Sequence, residues 1–307
     1  MASLVQGRIF GAFLGAFCGD ALGFPLEGLH PDFAAGLSRE NIFAFRPHRS
    51  GLWPAGQTSY LSQLLLASLR AVSEGSGQTE DLASYFFPLA RDRLLVLPPK
   101  GLSENIERWV RKEKQTLPVG SGLPVFLFPL ILASPGEADL WPQLRAGAQL
   151  TGQDDGPTLA LTAGFFGALR YALEAEEIVL GDLLDQARQG ASFFDRRQAQ
   201  VLRKIPDLLG KVERDDAVPA TEAGRNPAEG ALISGLVAFL KSPYDFPRSM
   251  LIACRSGAGS LAPFICGALA GAFGGREKIP RELIEKVKDA DEFERSVYQL
   301  LRAKGRG

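Results

Sequence analysis

The sequence predicts an all-α protein, and three observations carry that reading. Leu and Ala number 83 in the 307 residues while Val, Ile and Thr number 31, so residues that favour helix far outnumber those that favour a pleated sheet. Apolar residues recur at helical spacing in several long segments. Turn-rich stretches separate those segments, and none is long or biased enough to be a linker between independent domains, so we expect one domain spanning 1–307.

Each element has its own justification. The opening run GRIFGAFLGAFCGDALG is apolar and rich in Gly and Ala; Arg8 is its one preceding cation and Asp20 closes it, so we read a buried helix and not a signal peptide. Gly36 to Gln57 is turn-rich. TSYLSQLLLASLRAV from Thr58 is amphipathic, and turns follow over Ser73 to Asp81 and Leu97 to Ser103. TLALTAGFFGALRYALEA from Thr158 is helical by pattern, with Pro157 at its start. After the polar stretch Lys211 to Gly224, NPAEGALISGLVAFLKS begins with an Asn-Pro cap and first-turn pair. Ser256 to Gly275 is uncharged over twenty residues, but its Gly, Ser and Pro263 make a weak membrane span and a good close-packed core helix. From Pro280, PRELIEKVKDADEFERSVYQLLRA reads as a helix with one charged face. The small-residue segments GAFLGAFCGDALG and GALAGAFGG suggest two helices packing at close backbone approach.

Charge and composition exclude several functions. Hydrophobic residues make up 46% and charged residues 22%, which rules out a disordered or collagen-like chain. Lys plus Arg (34) balances Asp plus Glu (35), so nothing in the net field argues for nucleic acid or an anionic membrane as a partner. Cys18, Cys254 and Cys266 are an odd number without CxxC spacing, which argues against a disulfide framework or a zinc site and for a cytoplasmic setting.

A nucleophilic triad needs a nearby histidine, and only His30 and His48 exist, both in turn-rich sequence. Gly257 to Ala262 fits G-x-G-x-x-A, but a dinucleotide fingerprint needs a strand on each side of its helix and none follows. Asp215-Asp216 lies in a polar stretch and reads as a solvated loop. Asp154-Asp155 leaves two readings open, a cap for the helix near Pro157 or a functional acid.

Three further segments, taken together, carry a resemblance. GDALG with an acid four residues on (Gly19, Asp20, Ala21, Leu22, Gly23, Glu27), GALAGA at Gly267 to Ala272, and GSGLPVFLFPL from Gly120 with Thr151 and Asp154 occur in the order found in the ADP-ribosylglycohydrolase family, which the chain resembles over nearly its whole length. The resemblance implies a compact orthogonal bundle of many helices that releases ADP-ribose from modified acceptors with two Mg or Mn ions. Those ions are held in the family by a T-D-D-T loop and a D-T-D-T loop. Here the first loop reads GLWPAGQTSYL, placing the acidic pair on Ala55-Gly56 or Gly56-Gln57, and the second places its acids on Ala258 and Ser260. No Asp or Glu occurs from Asn41 to Ser73 or from Phe246 to Arg276, so a one-residue slip restores neither site. The family's substrate Asn, Arg and His fall on Ser121, Phe126 and Gly152.

The resulting expectation is a pseudoenzyme without a metal cofactor, in a binding, regulatory or structural role. Its ligand pocket would be formed by Asp20, Gln57, Thr58, Gly120, Ser121, Gly122, Thr151, Gly257 and Ser260, and its partner would be an ADP-ribose-like small molecule or a protein. The competing expectation is a metal-independent glycohydrolase in which Glu27 and Asp154 supply the acid and the base. Phe126, Leu261 and Pro54 are expected to crowd the former anion pocket with apolar surface.

Overall fold

The computed structural model describes residues 2–75, 78–113, 116–120, 122–133, 136–211 and 216–303. Helices, turns and irregular loops account for these residues, with no strand among them. The predicted segments form helices at Ala2–Gly23, Tyr60–Glu74, Gly156–Glu174, Pro227–Lys241 and Leu261–Gly274, joined by others such as Thr79–Arg91, Glu137–Thr151 and Leu180–Phe194.

The first helix and the Leu261 helix lie antiparallel at the centre, and glycine dictates how closely. Gly11 faces Gly271, Gly15 faces Gly267 and Gly19 faces Pro263, one contact per helical turn. A Cβ placed on Gly15 would stand 2.0 Å from the carbonyl oxygen of Gly267, and one on Gly271 would stand 1.9 Å from that of Gly11. Only glycine permits that approach. Aromatic rings flank the pair, with Phe13 stacked on Phe128 at 4.7 Å and Phe17 on Phe293 at 4.1 Å. Val5–Leu26 is long and apolar enough to cross a membrane, but 94% of it is buried inside the molecule, where it serves as the core.

Capping follows the sequence closely. Asp155 accepts from the Thr158 amide at 2.9 Å and so caps the Gly156 helix, which assigns it the structural half of the Asp154-Asp155 ambiguity. Asn226 does the same for the Glu229 amide at 2.9 Å. At the far end of the Gly156 helix, Arg8 donates to the carbonyl oxygens of Leu173 and Ala175.

Two expectations are corrected. The single helix predicted from Pro280 is broken into Arg281–Lys286 and Ala290–Ala303. Between them Asp289 adopts φ +64°, and the Lys288 amide donates to the Gly56 oxygen at 2.9 Å, so a tertiary contact overrides the local helical pattern. The turn-rich stretch Gly36 to Gln57 contains a short helix, Arg39–Phe43, capped by Ser38.

Candidate functional site

The cleft opens where the central helix pair ends. The first helix runs into a single 3-10 turn, Phe24–Leu26, and Glu27 follows it. The Glu27 carboxylate reaches across to the other helix of the pair and accepts from the Ser260 amide at 2.8 Å through Oε1. Gly259 makes this possible: its φ is +58°, and a Cβ there would lie 2.5 Å from the carboxyl carbon of Glu27. Glu27 therefore stands at the base of a cavity of about 640 Å³ whose walls include Leu29, Tyr60, Leu61, Leu97, Pro99, Gly120, Ala220, Arg225, Pro227, Gly257 and Leu261.

Asp20 lies one helical turn and more behind Glu27, buried beneath the wall. Its Oδ2 accepts from the amides of Ser59 at 2.9 Å and Ser62 at 3.2 Å, which caps the Tyr60 helix, while its Oδ1 has no hydrogen-bond partner. This cap fixes Tyr60 at the cavity wall. Burial pushes the Asp20 carboxyl above its usual range, against the pull of the Ser59 and Ser62 donors. Burial likewise raises Glu27, the Asp20 charge adds to it, and Ser260 opposes both. The Tyr60 phenol is raised by burial first and then by the charges of Glu27 and Asp20.

The remaining sequence-predicted residues divide between wall and interior. Gly120 and Gly257 line the cavity. Gly122 lies just behind, its missing side chain directed at the Tyr60 hydroxyl and the Gln153 amide, each 3.2 Å from where a Cβ would be. Thr151 is buried and donates to Ala148 and Gln153, and its own carbonyl accepts from Asn105. Asp154 is not among the lining residues, so the walls do not bring it together with Glu27. Ser121 lies outside the described residues. Of the apolar residues expected to crowd the pocket, only Leu261 lines it. Phe126 instead sits in the core against Phe86 at a ring separation of 5.8 Å, a correction that follows from its full burial.

Sequence reading missed Tyr60 and Arg225. Tyr60 directly follows the first loop and opens a helix, so its position was visible; that the helix would aim it at Glu27 depends on the Asp20 cap, a contact 39 residues apart in sequence. Arg225 enters from a distant segment, held by the buried Glu229 that also binds Gln198 and Lys204.

The two loops that the resemblance aligns with metal-binding loops do not fit divalent ions. In the first, Gln57 and Thr58 are buried; the Gln57 amide donates to the Thr58 oxygen, and its Oε1 accepts from the Lys288 ammonium at 3.2 Å. A cation of the protein itself thus holds the polar side chain of that loop. In the second, the positions are Ala258 and Ser260, whose hydroxyl is buried without a partner. Hard divalent ions need several oxygen ligands with carboxylates among them, and these residues do not fit a pair of such ions. Among the described residues, no group of three or more His, Cys, Asp or Glu side chains converges.

Nucleophile chemistry finds no better footing. All three cysteines are buried and free, and burial pushes the Cys18 thiol up to about 12. His48 packs between Phe24 and Trp53, and His30 caps the short helix Pro31–Ala35.

An all-helical frame with a cleft between the ends of its central pair matches a solved ADP-ribosylglycohydrolase-related protein complex, with a TM-score of 0.73 at 22% identity over 98% of this chain and 99% of that one. A model of the ADP-ribosylglycohydrolase family matches residues 1–306, and the chain belongs to that family. No curated protein matches it.

Proposed function

We propose that this protein is a non-hydrolytic member of its family, a pseudoenzyme whose cleft has become a metal-independent binding pocket for a small molecule. The observation that carries the reading is the pairing of loss with retention. Every position that would supply a metal carboxylate holds Ala, Gly, Gln or Ser, yet a cavity of about 640 Å³ remains open around Glu27, within the size range of small-molecule sites. A structural role alone would not require that space.

The alternative, a metal-independent glycohydrolase, needs a second carboxyl beside the first. Among the described residues Glu27 is the one acid on the cavity wall, which favours binding over hydrolysis. Three unpaired buried cysteines support a cytoplasmic setting for it.

Calorimetric titration of ADP-ribose with and without Mg²⁺, beside an assay for ADP-ribose released from ADP-ribosylated protein, tests this directly. No release, with any binding indifferent to Mg²⁺, is the expected result. Metal-dependent binding or turnover would overturn it.

A further inference from the structure

The walls of the cavity are unequal in chemistry, and that asymmetry selects among ligands. Most of the surface is aliphatic, supplied by Leu29, Leu61, Leu97, Pro99 and Leu261 among others. On that wall the Glu27 carboxylate makes one hydrogen bond, from the Ser260 amide to Oε1, and Oε2 accepts none from a described residue. Tyr60 is 8% exposed and faces the same cavity, and its hydroxyl bonds to no described residue. Glu27 Oε2 is therefore left without a partner at the cavity, in surroundings where an unmet polar group is costly, and Tyr60 adds a hydroxyl that can both donate and accept.

An anion finds one cation among the described residues of the wall, and that cation is already ion-paired: Arg225 Nε and Nη2 donate to Glu229 Oε2 at 3.0 and 2.9 Å, and Nη2 also to Gln198 at 2.9 Å, which leaves Nη1 with its charge balanced by the buried Glu229. The Pro227 helix points its first turn at the cavity, but Pro227 has no amide hydrogen, Asn226 already receives the Glu229 amide, and the buried Glu229 carboxylate answers the helix dipole. A phosphate placed here would meet the Glu27 carboxylate, and the one cation near it is already balanced by Glu229.

We propose that the cavity takes a ligand with an apolar body and a single ammonium head, the head seated on Glu27 Oε2 at the wall that Tyr60 also lines, and that it discriminates against phosphate and carboxylate groups. The proposal rests on the reading of the cleft as a metal-independent binding pocket. An ammonium has three donors and no acceptor, so it answers the open Glu27 oxygen, and a charge-assisted bond inside an apolar cavity is strong. Burial holds the Glu27 carboxyl above its usual range in the empty cavity; an ammonium favours the ionised form, so binding releases a proton and tightens as pH rises through the Glu27 titration.

Tryptamine and indole-3-acetate share one aromatic body and carry opposite heads, which makes them a matched pair of probes. Titrated into the whole protein by calorimetry at pH 7.5, tryptamine is expected to bind at least tenfold more tightly than either indole-3-acetate or ADP-ribose. Glu27→Gln should weaken tryptamine at least tenfold, and Tyr60→Phe, which keeps the ring, severalfold. If indole-3-acetate or ADP-ribose binds as tightly as tryptamine, or Glu27→Gln leaves tryptamine unchanged in a folded protein, the ligand class is wrong while the pocket reading stands. If none of the three binds, the pocket reading itself falls, and the proposal with it.

Discussion

At the scale of the residue, Glu27 and Asp20 show how one short segment supplies both a site and its support. Glu27 is half-buried, and its desolvated carboxyl is raised above the ordinary value of 4.5. A carboxyl whose folded pKa exceeds its unfolded one binds more protons when folded, so its contribution to stability falls as pH rises from the unfolded value through the folded one. Glu27→Gln, which still accepts from Ser260 without the charge, is therefore expected to be more stable than the parent at pH 7, with the difference vanishing below pH 4; urea unfolding at the two pH values measures it. Asp20 is raised in the same sense but also closes the Tyr60 helix through two amides. Asp20→Ala leaves those amides buried without an acceptor, at a cost of about 1–3 kcal/mol, and Asp20→Asn, which keeps an oxygen, costs less. A shift of the urea midpoint of equal size for the two variants would contradict the capping role.

At the scale of the element, the central helix pair depends on glycine more than on any apolar side chain. Gly15→Ala places a methyl 2.0 Å from the Gly267 oxygen, where both neighbours are backbone and neither can rotate away, and we expect a loss of about 3 kcal/mol. Gly181→Ala is the control: it lies in the helix Leu180–Phe194 with nothing within 4 Å of the new methyl, and it should be neutral or stabilising by up to about 1 kcal/mol. Chemical denaturation of the two variants separates contact from propensity. This pair was legible in the sequence, because GAFLGAFCGDALG and GALAGAFGG place small residues one helical turn apart. The C-terminal helix was legible in composition but not in its break at Val287–Asp289, which is set by the pairing of Lys288 with Gly56. Local pattern carries information over a turn or two; a contact 232 residues away leaves no periodic trace.

At the scale of the whole molecule, the chain keeps the fold and frame of its family while the two loops that the resemblance aligns with metal-binding loops hold Ala, Gly, Gln and Ser, with Lys288 bonded to Gln57. The missing acids were readable from sequence, since an absent acid is visible wherever the frame is recognised. The cavity wall was not. Gly120 and Gly257 lie on it, but Asp20, Thr151, Gln57 and Thr58 lie behind it, and Tyr60, Leu97 and Arg225 come to it from segments that carry no motif. Which side of a helix end faces a cleft is decided by the packing of elements distant in sequence, and a linear motif does not encode it. Calorimetric titration of Mn²⁺ into the protein tests the central claim most directly. We expect no tight binding event, because two dications would lack anionic oxygens at every former ligand position. Two tight Mn²⁺ sites would mean that the ligands have been replaced from elsewhere in the chain, and that the protein retains the metal chemistry of its family.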